Sequence, residues 1–314
     1  MQIYSFVGSQ WAGVVHLALA EKGFAQGKDY DITEVDLGKK LAVPIFFTAP
    51  FVNKTTTRRA GNADNFDPAY LDINPNGTVP SLTAPSLPRP LIDSVDILRH
   101  LDGLRPETAR RRPPLVPLDA ASRDRGQQLI DLVHSPQLDT NILFFRARDA
   151  AELGARTKSW HKGFIDTRQR RLEEEHAAHP AHPFYGPKLE ENGVIHAQYA
   201  AAAGVRANDN DAFFARSREL HREFADGMAR LETLLVLPFA AGASLSEADL
   251  HLAPWLSHAM VAADSDIHQV QDFTALEKTI ARSNPGFHVG PRTRQWWKTL
   301  ASETSFQQVF PHLH

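Results

Sequence analysis

The sequence contains no cysteine in its 314 residues. Structural disulfides and thiolate metal sites are therefore excluded, and the chain cannot carry out thiol–disulfide exchange with its own side chains. If the chemistry of this protein uses a reactive sulfur, a ligand must supply it.

Long apolar runs and an excess of one charge are also lacking. No apolar run approaches the roughly 18 residues that a membrane-spanning helix needs, and no basic or apolar leader opens the chain. The formal net charge is -3 with mixed signs, which indicates no surface for nucleic acid or anionic membrane. We expect a soluble cytoplasmic protein that is long enough for two domains.

The first hundred residues alternate between strand and helix patterns. Residues 2–6 read as a strand, and residues 11–22 carry an apolar face that ends in Lys22-Gly23, a helix stop. Residues 30–37 predict a second strand, a third follows Pro80, and an amphipathic helix begins near Ser94. Strand, helix, strand, then strand and helix is a thioredoxin-like order.

A proline stands where the third strand should begin. Val79-Pro80 follows the turn residues 74–78 and precedes Ser81-Leu82. Because proline removes a ladder donor, this position fits a cis bond that turns the backbone of Val79 toward a ligand. Eleven residues after Leu82, Asp93-Ser94 brings a carboxylate and a hydroxyl to a helix N-terminus. These groups suit a peptide-like ligand with an amino-acid head.

This pattern resembles the glutathione-binding half of the glutathione transferase family. The resemblance covers about residues 1–38, 66–104, 118–150 and 211–310. It implies a thioredoxin-like domain at 1–104, a linker at 105–117 and an enlarged all-helical domain at 118–314. Two stretches depart from the family and read as insertions, one at 39–65 and one at about 152–210.

The resemblance implies that Ser9 is the catalytic hydroxyl and that Tyr4 is the alternative. Lowering a thiol pKa by about two units requires about 2.7 kcal/mol of preference for the thiolate. One hydroxyl donating to a charged sulfur supplies roughly 1.5–3 kcal/mol, and a helix N-terminus adds about 0.3–2. From the residues alone, the common alternatives are a helix N-cap for Ser9 and a core strand aromatic for Tyr4.

The remaining glutathione contacts follow from the same resemblance. The backbone of Val79, oriented by Pro80, pairs with the cysteinyl part, and Thr78 touches the same ligand. Asp93, where the family usually has Glu, and Ser94 hold the γ-glutamyl head; a simple helix cap is their alternative reading. The cation for the glycyl carboxylate stays open among Lys39, Lys40, Lys54, Arg58 and Arg59.

The second half of the chain predicts helices. Apolar spacing indicates helices over 120–151, 155–178 and 211–237, and Ser246 with Asp249 forms a capping box before 250–260. His134 and Asn141 fall on the first of these helices. The candidates for the wall of an electrophile pocket are Phe6, Trp11, His134, Asn141 and Phe145, with core packing as the alternative for the phenylalanines.

The fifteen histidines raise a metal hypothesis. His176, His179 and His182 lie in an AAHPAHP segment whose prolines break the helical spacing that zinc enzymes use. Without cysteine or a neighbouring carboxylate motif, a surface loop is the favoured interpretation and no metal is expected.

The predicted activity depends on glutathione as cosubstrate. The resemblance implies that the protein ionises the thiol of bound glutathione and delivers it to an apolar small-molecule electrophile, by conjugation, ether cleavage or isomerisation. A noncatalytic carrier with the same fold is the alternative, and the resemblance implies a homodimer. The apolar insertion at 39–65 is favoured as a lid over the substrate pocket, with the helical domain or a second subunit as other partner surfaces.

Overall fold

The computed structural model describes residues 1–38, 62–104, 113–202, 210–266 and 268–313. The strands are β1 (Gln2–Ser5), β2 (Asp31–Glu34) and β3 (Ser81–Thr83). The helices are α1 (Gln10–Lys22), α2 (Pro68–Leu71), α3 (Ser94–Gly103), α4 (Ala120–Val133), α5 (Asn141–Phe145), α6 (Ala150–Thr157), α7 (Trp160–Ala178), α8 (Tyr185–Ala201), α9 (Asp211–Leu234), α10 (Glu247–Ala262), α11 (Thr274–Ala281), α12 (Pro291–Leu300) and α13 (Thr304–Val309). None of the helices within these ranges is long and apolar enough to cross a membrane.

The strands form one small sheet in the order β2-β1-β3. β1 pairs in parallel with β2, with Ile3 opposite Ile32, and antiparallel with β3, with Ile3 opposite Leu82. Ile3 and Leu82 are fully buried, and an antiparallel bridge from Leu82 to Leu91 extends the edge. A small N-terminal sheet followed by a large all-helical region confirms the predicted thioredoxin-like and all-α fold class.

The chain forms two compact units, each assembled from three segments. The first unit comprises 1–6, 31–92 and 145–217, and the second comprises 7–30, 93–144 and 218–314. The sheet therefore lies in the first unit, whereas α1 and α3 lie in the second.

In the first unit, the predicted insertion at about 152–210 contributes to the core. α7 and α8 pack against each other, and Leu172 and Tyr185 join Ala63, Phe66 and Leu71 in one buried cluster. The hydroxyl of Tyr185 donates to the carbonyl of Phe66 at 2.9 Å. These two helices are thus structural neighbours of the segment that leads to the third strand.

In the second unit, α10 is the central helix. Its residues from Glu247 to Met260 are buried on every face, which is typical of a helix enclosed by other helices. α1 and α4 pack against it, and α1 also packs against α3. Gly13 permits the close approach of α1 to α10, because a Cβ at this position would lie 2.8 Å from the Cβ of Pro254.

The predicted capping box of α10 is confirmed. The carboxylate of Asp249 accepts from the backbone N–H of Ser246 at 2.9 Å. It also accepts from the N–H of Ala240 at 2.7 Å and from Nε1 of Trp296 at 2.8 Å. One side chain therefore caps the helix and ties two other parts of the unit to its start.

The prediction of one helix over 120–151 is wrong. α4 ends at Val133, and a 3-10 turn at Pro136–Leu138 separates it from α5. Pro136 has no N–H to continue the helix, and its ring would clash with the preceding turn. The hydroxyl of Ser135 instead donates to the carbonyl of Leu132 at 2.6 Å.

The predicted helix over 155–178 is also divided. α6 ends at Thr157 and α7 begins at Trp160. The hydroxyl of Ser159 donates to the carbonyl of Arg156 at 2.9 Å. A short polar side chain that bonds to its own backbone competes in this way with continuation of a helix.

Candidate functional site

The loop before β3 in the first unit is held by a buried polar network. The bond between Val79 and Pro80 is cis, as predicted. Nδ2 of the fully buried Asn74 donates to the carbonyl of Thr78 at 2.7 Å, and the hydroxyl of Tyr70 donates to the same carbonyl at 2.5 Å. Ser81 lies 3.0 Å from the hydroxyl of Tyr70. These contacts fix the orientation of the peptide that enters Val79.

Tyr70 remains a hydrogen-bond donor across the physiological pH range. Burial raises the pKa of Tyr70 to about 12, although its hydrogen bonds with Ser81 and Asn74 oppose the shift. Its phenolic hydrogen is committed to the carbonyl of Thr78, so the hydroxyl of Ser81 is the donor in the contact between the two hydroxyl groups.

The carbonyl of Gly77 is held in the same way. Nδ2 of Asn65 donates to it at 2.7 Å. Gly77 has a φ of 59°, and a Cβ there would lie 2.7 Å from Cζ of Phe184. Glycine is thus required both by the left-handed backbone and by the aromatic ring that packs on the loop.

The backbone of Val79 stands apart from these contacts. Neither its N–H nor its carbonyl has a hydrogen-bond partner within the described part of the chain. Its side chain is 6% exposed and packs with Phe6, Val35 and Tyr70, with Tyr4 against the same cluster. The loop therefore presents one peptide donor and one acceptor beside a firmly packed side chain.

Ser9 is the N-cap of α1 in the second unit. Its side-chain oxygen accepts from the N–H of Ala12 at a long 3.4 Å, and its carbonyl accepts from Gly13 at 2.9 Å. The hydroxyl hydrogen of Ser9 has no acceptor among the described residues. Capping and donation to a ligand are therefore compatible, because they use opposite sides of the hydroxyl.

Asp93 and Ser94 open α3, also in the second unit. Oδ1 of Asp93 accepts from the N–H of Val95 at 2.8 Å, and the side chain is exposed. Oδ2 of Asp93 and the hydroxyl of the buried Ser94 have no partner in the described ranges. An exposed carboxylate oxygen, a hydroxyl and the helix N-terminus are the groups that an amino-acid head requires.

A histidine pair lies beside the first turn of α1. The indole of Trp11 stacks on the imidazole of His134, with ring centroids 3.9 Å apart. Nε2 of His134 is 3.0 Å from Nδ1 of the fully buried His251. Burial lowers the pKa of His134, opposed by the charges of Asp93 and Asp131, and burial next to His134 and Arg99 lowers the pKa of His251 well below its usual range.

A second polar chain fixes the residue between Ser9 and Trp11. The hydroxyl of Thr140 donates to Oε1 of Gln10 at 3.0 Å. The same hydroxyl lies 2.8 Å from Nδ1 of His258. Because its one hydrogen is used, Thr140 accepts from His258, whose Nδ1 therefore carries the proton.

The other predicted pocket residues have local partners. Nδ2 of the exposed Asn141 donates to Asp139 at 2.9 Å. Phe145 belongs to the first unit, where it stacks on Phe164 with centroids 5.4 Å apart. The structure thus groups Ser9, Trp11, Asp93, Ser94 and His134 in the second unit, and Tyr4, Phe6, Thr78, Val79, Pro80 and Phe145 in the first.

The predicted cations for a glycyl carboxylate, Lys39, Lys40, Lys54, Arg58 and Arg59, lie outside the described residues, as does the apolar part of the same insertion. Across the ranges that are described, no three side chains of the His, Cys, Asp or Glu type gather as metal ligands would. His179 ends α7 instead, and the rings of His179 and His182 lie next to Tyr185.

Residues 3–109 match the family model for the N-terminal domain of glutathione S-transferases. The match places the N-terminal part of the chain in the glutathione S-transferase family. Glutathione S-transferase Z1 of Arabidopsis thaliana is 31% identical over 135 residues, which are 43% of this chain and 46% of that protein. The alignment therefore spans about half the length of this curated relative.

Solved structures share the fold over nearly the whole chain. The β-etherase LigF of a Sphingobium species superposes with a TM-score of 0.57 at 16% identity, covering 99% of this chain and 98% of that one. A maleylacetoacetate isomerase of Methylobacterium extorquens, with bound malonate and glutathione, gives 0.52 at 20% identity, covering 100% and 98%.

Three residues of this protein escaped the sequence interpretation: Tyr70, Asn74 and His251. Asn74 stands at the start of the turn, where its Oδ1 accepts from the N–H of Asn76 at 3.0 Å. This local contact is typical of asparagine in turns and could have been anticipated. The contacts of Tyr70 and His251 join residues distant in sequence, and no local pattern encodes them.

Proposed function

We propose that this protein is a glutathione-dependent transferase, which ionises the thiol of bound glutathione and delivers the sulfur to an apolar electrophile. The observation that carries the proposal is the unpaired backbone of Val79. The two carbonyls before it are occupied by Asn65, Asn74 and Tyr70. In the part of the chain that the structure describes, both peptide groups of Val79 are left for a ligand.

A peptide ligand can use those groups as an added strand. The cysteinyl residue of glutathione has one N–H and one carbonyl in extended geometry, which matches one acceptor and one donor on Val79. Asp93 and Ser94 would receive the γ-glutamyl ammonium and carboxylate. This assignment gives partners to two backbone groups that have none among the described residues.

Ser9 would activate the sulfur. A hydroxyl donating to a thiolate contributes roughly 1.5–3 kcal/mol. The dipole of α1 adds about 0.3–2 kcal/mol at the same end of the helix. The sum matches the roughly 2.7 kcal/mol that lowers a thiol pKa by two units. The free hydroxyl hydrogen of Ser9 supports this role.

The reaction subtype follows from what one activated thiolate can attack. The structural neighbours include an isomerase and an etherase. Conjugation, ether cleavage and isomerisation all begin with attack of the same sulfur on an electrophilic carbon. We place this transferase in that group of reactions, with an apolar substrate.

Calorimetric titration tests the proposal with two ligands. Glutathione should bind, and an analogue methylated on its cysteinyl nitrogen should bind about tenfold more weakly, because it cannot donate to Val79. γ-Glutamyl-alanyl-glycine, which lacks the sulfur, should bind like glutathione but support no turnover of chlorodinitrobenzene. Absence of glutathione binding would refute the proposal. Binding without turnover of any electrophile would favour a carrier protein.

A further inference from the structure

The buried histidine pair in the second unit is not explained by glutathione binding. His251 is fully buried, and its Nε2 has no hydrogen-bond partner in the described residues. Its other ring nitrogen, Nδ1, lies 3.0 Å from Nε2 of His134. Within the same ranges, Nδ1 of the half-buried His134 has no partner and is not sealed from solvent.

This arrangement selects one tautomer for each ring. One of the two facing nitrogens must carry the hydrogen. If His134 donated, the proton of His251 would sit on its buried Nε2 as an orphaned N–H, which is rarer and less favourable than an orphaned acceptor. His251 therefore donates from Nδ1, and His134 accepts at Nε2. The hydrogen of His134 must then be on Nδ1, the atom that is open.

We propose that Nδ1–H of His134 donates a hydrogen bond to an acceptor oxygen of the electrophile, and that His251 is the positioning residue that holds His134 in this tautomer. The inference rests on the proposed function and narrows its substrate class. It selects electrophiles whose reacting carbon is conjugated to a carbonyl or nitro oxygen.

The location of His134 fits this role. Its ring lies on Trp11, in the first turn of the helix that Ser9 caps. Asp93, the N-cap of α3, lies close enough to act on its charge. His134 is thus next to the two helix N-termini that carry the glutathione candidates of the second unit. Burial also keeps the ring neutral, so that it donates without becoming a charged acid.

The chemistry balances without any further reactant. When the thiolate adds to an enone, a C–S bond forms at the β-carbon and the π electron pair moves to the carbonyl oxygen. Nδ1–H of His134 hydrogen-bonds to that oxygen as its negative charge develops. Water then protonates the α-carbon, and the proton on His134 is not transferred. No oxygen becomes negatively charged when the thiolate attacks an alkyl halide, so a hydrogen bond from His134 does not stabilise that transition state.

Paired substrates and paired variants test the proposal. The enone is trans-4-phenyl-3-buten-2-one, and the control electrophile is 1-iodobutane. His134→Phe should lower kcat/KM for the enone about 10- to 100-fold, as expected for the loss of one donor to developing charge. The loss in kcat/KM for 1-iodobutane should be at least about fivefold smaller, because both electrophiles lose the same ring contacts but only the enone loses a donor, and the glutathione Kd should stay unchanged. His134→Asn, whose amide nitrogen replaces Nδ1–H, should restore most of the enone activity.

The tautomer is measured apart from activity. Long-range ¹H–¹⁵N correlation spectra should show His134 protonated on Nδ1 and His251 on Nδ1 at neutral pH. His251→Asn keeps a donor toward His134 and should preserve the Nδ1–H tautomer. His251→Leu removes that donor, so it should give a mixture of His134 tautomers and lower only the enone activity. An Nε2–H tautomer for His134, or equal losses on both electrophiles in His134→Phe, would overturn the proposal.

Failure of the proposed function gives a different result. If the protein binds no glutathione or turns over neither electrophile, the same spectra are recorded with saturating enone. A shift of the His134 Nδ1 resonance, absent with 1-iodobutane, would still support the donor. An unmoved resonance would overturn it.

Discussion

A single asparagine supports the backbone that we assign to ligand binding. Nδ2 of Asn74 reaches the carbonyl of Thr78, the hydroxyl of Thr78 at 3.2 Å and the hydroxyl of Ser81 at 3.1 Å. Its Oδ1 holds the N–H of Asn76. The side chain of Asn74 therefore forms hydrogen bonds with backbone groups of the turn, and the turn fixes the orientation of Val79.

Replacing Asn74 should weaken both stability and binding. Asn74→Ala removes these contacts and leaves buried partners unsatisfied, which should lower the free energy of unfolding by about 2 kcal/mol and raise the glutathione Kd several-fold. Urea denaturation and calorimetry measure the two effects. Tyr70→Phe is the matched control, since Thr78 keeps Asn74 as donor and a smaller change is expected. Unchanged glutathione affinity in Asn74→Ala would show that the turn does not orient Val79 for a ligand.

Ser9 should affect turnover more than binding. Ser9→Ala should lower kcat about 10²-fold or more, while the glutathione Kd stays nearly constant, because the hydroxyl acts on the sulfur and not on the peptide frame. Ser9→Asp retains a good helix cap but has no hydrogen to donate, so it should stay folded and equally inactive. Steady-state kinetics and thermal unfolding separate the two roles. A fully active Ser9→Ala would transfer the role to Tyr4, and Tyr4→Phe is then the next variant.

Among the elements, α10 depends on one carboxylate. The side chain of Asp249 accepts four hydrogen bonds, two from Ser246 and one each from Ala240 and Trp296. Asp249→Ala should lower the free energy of unfolding by about 3 kcal/mol, because buried N–H groups lose their acceptor. Ser246→Ala, which leaves Ala240 and Trp296 bonded, should lower it by about 1 kcal/mol. Equal losses of unfolding free energy in the two variants would show that the contacts of Asp249 with Ala240 and Trp296 do not contribute to stability.

The contact between α8 and the Val79 loop can be tested at Gly77. Gly77→Ala places a methyl group against Phe184 and strains a left-handed backbone. We expect a loss of about 2–3 kcal/mol in the free energy of unfolding and weaker glutathione binding. Adding Phe184→Ala to this variant should restore only the part of the free energy of unfolding that is lost through the clash with the ring. A double-mutant cycle measures that part. Additive effects of the two substitutions would show that the ring of Phe184 does not restrict the size of the side chain at position 77.

Local patterns predicted the elements whose signals lie within a few residues. The stop at Lys22-Gly23, the cis Val79-Pro80 bond and the Ser246–Asp249 box are confirmed because each depends on neighbouring residues. The break after α4 was missed although Pro136 is visible, because apolar residues continue in phase on both sides of it. The pairing of His134 with His251 was missed because 117 positions separate the two residues.

At the scale of the whole molecule, stability should fall as the pH decreases below about 6.5. The pKa of His251 is lowered in the folded state by burial and by its neighbours His134 and Arg99. Below about pH 6.5, His251 is therefore protonated in the unfolded chain but stays neutral in the folded protein. This difference reduces the free energy of unfolding by about 1.4 kcal/mol for each pH unit below the unfolded pKa. The stability from this group is fully present above that pKa. Urea denaturation between pH 7.5 and 5 measures the slope.

The asparagine variant is the control for this slope. His251→Asn keeps a donor toward His134 but cannot titrate. The slope of the free energy of unfolding against pH should therefore decrease by the contribution of one proton. Other buried histidines keep their own contribution in both proteins. A slope identical to that of the original protein would show that His251 is not excluded from protonation.

The three-segment construction of each compact unit sets the order in which a nascent chain can acquire its structure. Residues 1–92 leave the ribosome long before Leu172 and Tyr185, yet these two side chains complete the cluster around Phe66. The first unit is therefore incomplete until residues 145–217 are made, and the second until residues 218–314 are made. The first unit can be completed once residue 217 has been made, whereas the second also needs residues 218–314. The early strands therefore depend on protection while the segment up to residue 217 is still being translated.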